Sequence, residues 1–159
     1  MKIHLATDHA GLDLKSTIKN YLLESGYHIK DHGAHEYDAA DDYPDFIFPC
    51  AMAVSLDQES RGIILGGSGQ GEAIAANKIK GCRAAVFYGG PKEILKLSRQ
   101  HNDANILSLG ARFFTEKDIY KVIDLWLKEP FEGGRHQRRI DKLDTCLLYT
   151  SDAADEVLG

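Results

Sequence analysis

Short apolar segments of strand length alternate with segments of helical period along nearly the whole chain, and this alternation restricts the fold more than any other feature. Lys2–Thr7 is an apolar run that ends in polar residues, as a strand does. Leu12–Glu24 carries Leu14, Ile18, Tyr21 and Leu22 at helical spacing, and Gly26 stops it. Tyr27–Asp31 reads as a second, weaker strand, and Asp38–Asp42 as a polar loop. Pro44 then opens a helix with Phe46, Ile47, Cys50, Ala51 and Val54 facing inward. Gly62–Leu65 is continuously apolar, so it is expected to be a strand buried on both faces. Gly71–Ile79 reads as a helix, Arg83–Phe87 as a strand, Pro91–Gln100 as a helix and Asn105–Leu109 as a strand. Glu116–Lys128 is amphipathic, with Ile119, Val122, Ile123 and Trp126 on one side, and Gln137–Leu143 follows Gly133-Gly134 as a last helix. Five strands alternating with helices predict an α/β sandwich of three layers, a five-stranded parallel sheet with helices on both faces.

At 159 residues the chain fits one domain. From Cys146 to Glu156 it reads Cys-Leu-Leu-Tyr-Thr-Ser-Asp-Ala-Ala-Asp-Glu, which resembles the translation of a sequencing-library adaptor. The domain is therefore expected to span residues 1–144, with 145–159 a non-native tail; a genuine polar tail is the alternative. Without that tail Asp152, Asp155 and Glu156 drop out and the formal charge moves from −5 to −2. No charge bias then points to a nucleic-acid or membrane partner. The N-terminus has no signal-peptide pattern and no apolar stretch has bilayer length, so a cytoplasmic protein is expected. Cys50 and Cys82 have no paired spacing, which argues against a disulfide framework or a zinc site and fits core positions in a reducing compartment.

In open parallel sheets ligands bind beyond the carboxyl ends of the strands. Three groups with usable chemistry follow strands: Asp8-His9, the run Gly66-Gly67-Ser68-Gly69-Gln70-Gly71-Glu72, and Gly110-Ala111-Arg112. Glycines between a buried strand and a helix let main-chain amides approach a ligand, and the helix start adds a positive dipole end. Such a loop suits a phosphate or a developing oxyanion, although a plain tight turn has the same look. It is not placed as a dinucleotide fingerprint, which belongs to the first strand–helix turn, and no Lys-Ser or Lys-Thr pair closes it as in a phosphate-loop NTPase. Glu72 reads either as a residue complementing the helix dipole or as a general base. Asp8-His9 and His101-Asn102-Asp103 are proton-relay candidates or turn clusters. Arg135-His136-Gln137-Arg138-Arg139, taken with Arg112, is either a phosphate-binding cluster or a solvated helix face. His28, His32 and His35 lie on a weak strand and its loop, and no metal is expected there or elsewhere.

Five motifs in this order resemble the type B ribose-5-phosphate isomerases, within the group that includes galactose- and allose-6-phosphate isomerases. They are Asp8-His9-Ala10-Gly11, Asp42-Tyr43-Pro44, Gly66–Glu72 with Ile74-Ala75-Ala76-Asn77-Lys78, Ser98–Asp103, and Gly134–Arg139. The resemblance covers residues 2–144 and implies a Rossmann-like fold, an aldose–ketose isomerase and no cofactor or metal. One branch of the family has a cysteine base where this chain has Gly66. The other has a glutamate at the position of Glu72, and the chain resembles that branch. The resemblance further implies Glu72 as general base through a cis-enediolate, Ser68 in proton handling, and Asp8 and His101 in ring opening. Asn102 and the amides of Gly67, Gly69 and Gly71 are implied in holding the enediolate. His9, Arg112, Arg135, His136 and Arg139 are implied in phosphate contact, and Tyr43 in lining the site. Sites shared across a homodimer, or a tetramer, are implied as well, and the altered end after Asp144 bears on that assembly. Five- and six-carbon sugar phosphates remain open, and a non-catalytic sugar-phosphate binding module or a nicotinamide-dependent oxidoreductase are the other classes.

Overall fold

A computed structural model describes residues 1–145. The strands are β1 (Lys2–Thr7), β2 (His28–Asp31), β3 (Arg61–Gly66), β4 (Ala84–Phe87) and β5 (Ile106–Gly110). The helices are α1 (Leu12–Glu24), α2 (Pro44–Leu56), α3 (Gln70–Ala76), α4 (Glu93–Gln100), α5 (Glu116–Lys128) and α6 (residues 135–145). The strands form one all-parallel sheet in the order β2-β1-β3-β5-β4, the architecture expected.

The period-2 alternation of the central strands decides which helices cover which face. Ile3 and Leu5 of β1, Ile63 and Leu65 of β3, and Leu107 and Leu109 of β5 meet α1, α4 and α5 through Ile18, Leu22, Leu95, Ile119, Val122, Ile123 and Trp126. Ala6, Ile64 and Ile106 face the other way, onto Ile47, Cys50, Ala51 and Val54 of α2 and Ala75 and Ala76 of α3. Both sets are buried, which is why β3 reads as continuous apolar sequence rather than as an alternating strand.

α3 is shorter than its sequence pattern because Asn77 leaves the helix. Its side-chain amide donates to the Ala84 carbonyl at 3.1 Å and its side-chain oxygen accepts the Ala84 amide at 2.8 Å, so it ties the end of α3 to the start of β4. Cys50 and Cys82 are buried, as their apolar settings suggest, and burial pushes both thiols up, Cys82 to about 11. A groove of about 480 Å³ lies between β4, the end of α3 and α6, lined in part by Ile79, Cys82, Ile140 and Leu143. Among the described residues no helix is long and apolar enough to cross a membrane. The expected tail falls outside the described residues from 146 onward.

From β1 the chain steps outward to β2 through α1, then returns across β1 to β3 through α2. From β3 the chain steps the other way, through α3 to β4 at the far edge, so the connections leaving β1 and β3 diverge, and such a divergence opens a crevice at their carboxyl ends. The segment after β2 is clamped to the end of β1. The Thr7 amide donates to the Gly33 carbonyl at 2.8 Å and the Ala34 amide to the Thr7 carbonyl at 2.6 Å. Beneath that clamp the buried Lys15 ammonium donates to Asp31 at 2.6 Å and to the Ala34 carbonyl at 2.7 Å.

Candidate active site

The loop from β3 into α3 is shaped by what lies on its glycines. Gly69 takes the left-handed conformation (φ +79°) at the cap of α3, and a Cβ there would come within 3.0 Å of the Leu109 carbonyl carbon, so a side chain is excluded twice over. Three other glycines each carry one of the expected site residues against the place a Cβ would occupy. The Glu72 carboxylate lies on Gly66, the Arg112 guanidinium lies 3.0 Å from the Cβ position of Gly67, and the Tyr43 ring lies 2.7 Å from that of Gly71. The glycine run therefore does more than expose amides, since it makes room for an acid, a cation and a phenol at one mouth. Ser68 is exposed on the turn, where its hydroxyl oxygen accepts the Gln70 amide at 3.3 Å. Of the first-turn amides of α3, that of Gln70 is taken by Ser68 and that of Glu72 by its own carboxylate, while that of Gly71 has no carbonyl within the helix to pair with, which leaves it for a ligand oxygen.

Glu72 sits in the first turn of α3, yet it is only 5% exposed because its side chain folds back onto Gly66 rather than out to solvent. Burial raises its carboxyl above the usual range, a bond from its own amide opposes this, and the neighbouring Asp8 charge adds to the rise. A carboxylate held this way is a stronger base than one in water.

Asp8 and His9 follow β1 and do not pair with each other. Asp8 accepts the Ala10 amide at 3.0 Å and so caps the short 3-10 turn His9–Gly11. The His9 ring pairs instead with Asp41, whose carboxylate accepts Nδ1–H at 2.6 Å and the His9 amide at 3.2 Å. Asp41 was hidden in the sequence. It belongs to a run of loop acids of the kind that is ordinarily solvated, and only the closeness of Asp42-Tyr43-Pro44 pointed near it.

The remaining expected residues form a second cluster. His101 and Asn102 follow α4, and Arg135, His136 and Arg139 lie on α6. The His101 and His136 rings stack, centroids 4.2 Å apart and planes 13° from parallel, with Glu132 Oε2 at 3.6 Å from His136 Nε2 and 4.0 Å from His101 Nε2. Burial first, then His101 and Arg135, lower the pKa of His136. Arg135 and Arg139 are exposed.

Within one chain these two clusters do not meet. α4 runs antiparallel to the sheet, so its last residue returns to the amino edge, where β5 begins at Ile106 beside Gly62. The glycine loop begins at the other end of the same strands, where Gly66 pairs with Gly110. Four residues of strand separate the two levels by roughly 13 Å. This corrects one expectation. Arg112 does not join Arg135–Arg139 in one basic cluster within the chain, because it lies over Gly67 at the carboxyl edge. His101 and Asp8 likewise lie at opposite edges of the sheet in the single chain.

Asp8, His9 and Asp41 place one potential metal ligand each within 4.8 Å of one another, as do His101, Glu132 and His136. His28, His32 and His35 form no such group among the described residues; His32 pairs through a ring nitrogen with the buried His4 at 2.8 Å.

Residues 3–143 match the family described as ribose/galactose isomerase. The probable ribose-5-phosphate isomerase B of Mycoplasma genitalium is 44% identical over 142 residues, covering 89% of this chain and 92% of the relative. The ribose-5-phosphate isomerase B of Mycolicibacterium paratuberculosis is 43% identical over 144 residues, covering 90% of this chain and 89% of the relative. Among solved structures, ribose-5-phosphate isomerase B of Mycoplasma genitalium with bound ribulose 5-phosphate superposes with a TM-score of 0.86 at 43% identity, covering 91% of this chain and 94% of the other. That of Clostridium thermocellum superposes with a TM-score of 0.88 at 41% identity, covering 94% and 99%.

Proposed function

Since the chain belongs to the ribose/galactose isomerase family, we propose that it interconverts ribose 5-phosphate and ribulose 5-phosphate, with Glu72 as the base that moves the proton. The observation that carries this reading is the buried Glu72 carboxylate, seated on Gly66 under the start of α3 with its affinity for protons raised. A carboxylate so placed takes the proton from the carbon beside the carbonyl, and the enediolate then puts charge on an adjacent oxygen. The amides of Gly67, Gly69 and Gly71 meet that oxygen without reorganising. One such donor is worth roughly 2.7–4 kcal/mol, and a positioned base about 10²–10⁴-fold. Ser68 assists at the reacting oxygens, and Glu72 returns the proton to the neighbouring carbon. No electrons leave the substrate and no metal takes part.

His9 and Arg112 bind the phosphate at the carboxyl edge of the sheet, and Tyr43 lines the pocket. Ring opening by Asp8 with His101, and the contacts of Asn102, Arg135, His136 and Arg139, require a second copy of the chain to bring its amino-edge cluster to this mouth. Two features support that homodimer. One is the separation of the clusters. The other is the outer face of α2, where Phe48, Met52 and Leu56 repeat every four residues and stand 37%, 52% and 86% exposed. An apolar stripe of this kind marks an interface. Pairing into tetramers is compatible with it. Among the described residues Cys50 and Cys82 are free thiols, which favours a reducing, cytoplasmic setting.

The test is a panel of phosphorylated aldopentoses and aldohexoses, scored for ketose without added metal, with Glu72→Gln as the control. Ribose 5-phosphate is expected to give product. Exchange of its carbon-bound proton with solvent is expected to vanish in the variant, with phosphate binding largely kept. Turnover of a six-carbon phosphate alone would move the substrate assignment, and an active Glu72→Gln would remove the base.

A further inference from the structure

We propose that Asp41 is a positioning residue that holds the His9 ring for the substrate's phosphate by engaging both its Nδ1 and its main-chain amide, leaving Nε2 to face the anion. This deepens the isomerase reading and rests on His9 being a phosphate contact.

The geometry is specific. Asp41 lies on the loop between β2 and α2, and His9 lies at the end of β1, 32 residues away in sequence. A single carboxylate oxygen accepts both bonds, 2.6 Å from Nδ1 and 3.2 Å from the amide. Two attachment points to one oxygen fix both the ring's position and its tautomer, because the nitrogen that donates to a carboxylate must carry the hydrogen. Tyr37 of the same loop meets the ring edge-on, with centroids 5.9 Å apart and planes at 85°, and this restrains the remaining rotation.

The carboxylate also determines the ring's charge. The Asp41 side chain is only 8% exposed, and its second oxygen, Oδ2, is buried with no partner among the described residues. His9 is the one ion-pair partner that Asp41 has among the described residues. A buried carboxylate left without a cation is costly, so the ring beside it is favoured as imidazolium. The groups facing His9 are Asp41 from the β2–α2 loop, Asp8 from its own turn and Arg112 from the segment after β5, besides the Tyr37 ring. The hydrogen bond from Asp41 is the largest influence and raises the ring's pKa. Desolvation opposes it, Asp8 adds to the rise, and Arg112 opposes it. Without Asp41 the two opposing effects face Asp8 alone, and the ring loses its proton at lower pH. Above that point a phosphate dianion would meet a neutral imidazole where the native enzyme offers a cation.

The measurement compares wild type, Asp41→Asn and Asp41→Glu. The His9 Cε1–H resonance is titrated in each, and KM for ribose 5-phosphate is followed from pH 5.5 to 8. The substrate phosphate titrates near pH 6 in every case, so the ratio of variant to wild-type KM isolates the enzyme's part. The His9 midpoint is expected above 6.5 in wild type and lower in Asp41→Asn, with Asp41→Glu recovering part of the difference. The KM ratio for Asp41→Asn should stay near one at pH 5.5 and climb to roughly tenfold or more by pH 8, with kcat changing less. An unchanged His9 midpoint in Asp41→Asn overturns the coupling. A moved midpoint with a KM ratio flat across pH overturns the role in phosphate binding and leaves Asp41 as a loop anchor. The titration needs no substrate, so a chain that fails to isomerise ribose 5-phosphate but shows the moved midpoint would count against the isomerase reading alone.

Discussion

Replacing Gly66 by alanine puts a methyl group where the Glu72 carboxylate lies. The new Cβ would overlap Glu72 Cδ and both of its carboxylate oxygens. Real Cβ atoms essentially never approach another heavy atom within 3.0 Å, so the carboxylate must retreat. A retreat of roughly 1 Å at a reacting group costs about 10²-fold in rate, equivalent to about 2.7 kcal/mol of barrier. The same crowding should destabilise the fold by about 1–3 kcal/mol, or some 2–4 °C of Tm per kcal/mol in a chain of this size. The assay is initial-rate formation of ribulose 5-phosphate at saturating substrate, with thermal denaturation of wild type, Gly66→Ala, Glu72→Ala and the double variant. kcat should fall about a hundredfold in Gly66→Ala while KM holds, because the phosphate contacts lie elsewhere. In the Glu72→Ala background the added methyl should cost almost no stability, since the atoms it struck are gone. A Gly66→Ala enzyme with native kcat, or an equal loss of Tm with and without the Glu72 side chain, would refute the claim that the glycine exists to seat the base.

Glu72→Gln should raise the thermal stability of the protein at neutral pH. The folded carboxyl's pKa is raised, so its ionised form penalises folding fully above that pKa and not at all below the ordinary value of 4.5. The gain in Tm should therefore be present at pH 7.5 and absent at pH 4. Lys15→Met should destabilise the fold in urea unfolding at pH 7, because it removes the buried cation of Asp31 and leaves that carboxylate only the Gly33 amide and the more exposed Lys19. Burial alone would raise Asp31, but Lys15, the Gly33 amide and Lys19 outweigh it and depress its pKa, so the cost should shrink as acid titrates Asp31 in the folded state. Co-expressed Glu72→Gln and His101→Ala chains should recover about one quarter of native activity, because half the dimers are hybrids with one intact site each. No recovery would place both residues in the same chain's site.

Much of the site's content was legible in the chain because its chemistry is local. The glycine run, Glu72 and the residues after β1 and β5 lie at strand ends, and strand ends can be read from hydrophobic period alone. Asp41 was not legible. Its role comes from a clamp between the ends of β1 and β2, and nothing in an acidic loop distinguishes the one carboxylate that turns inward. The reason Gly66 is glycine was equally hidden, since it depends on Glu72 folding back across a turn.

Local pattern by itself determined the alternation of elements, the double burial of β3, and the placing of an acid beside a glycine loop at a helix start. Each follows from side-chain period and from main-chain freedom at glycine, and both act over a few residues. Only the packed structure decided which groups share a place. Strand order and the antiparallel return of α4 set His101 and the α6 arginines at the edge opposite Glu72, and the pairing of β1 with β2 brought Asp41 to His9. Such distances depend on how the whole sheet is assembled, and no short window of sequence contains that information.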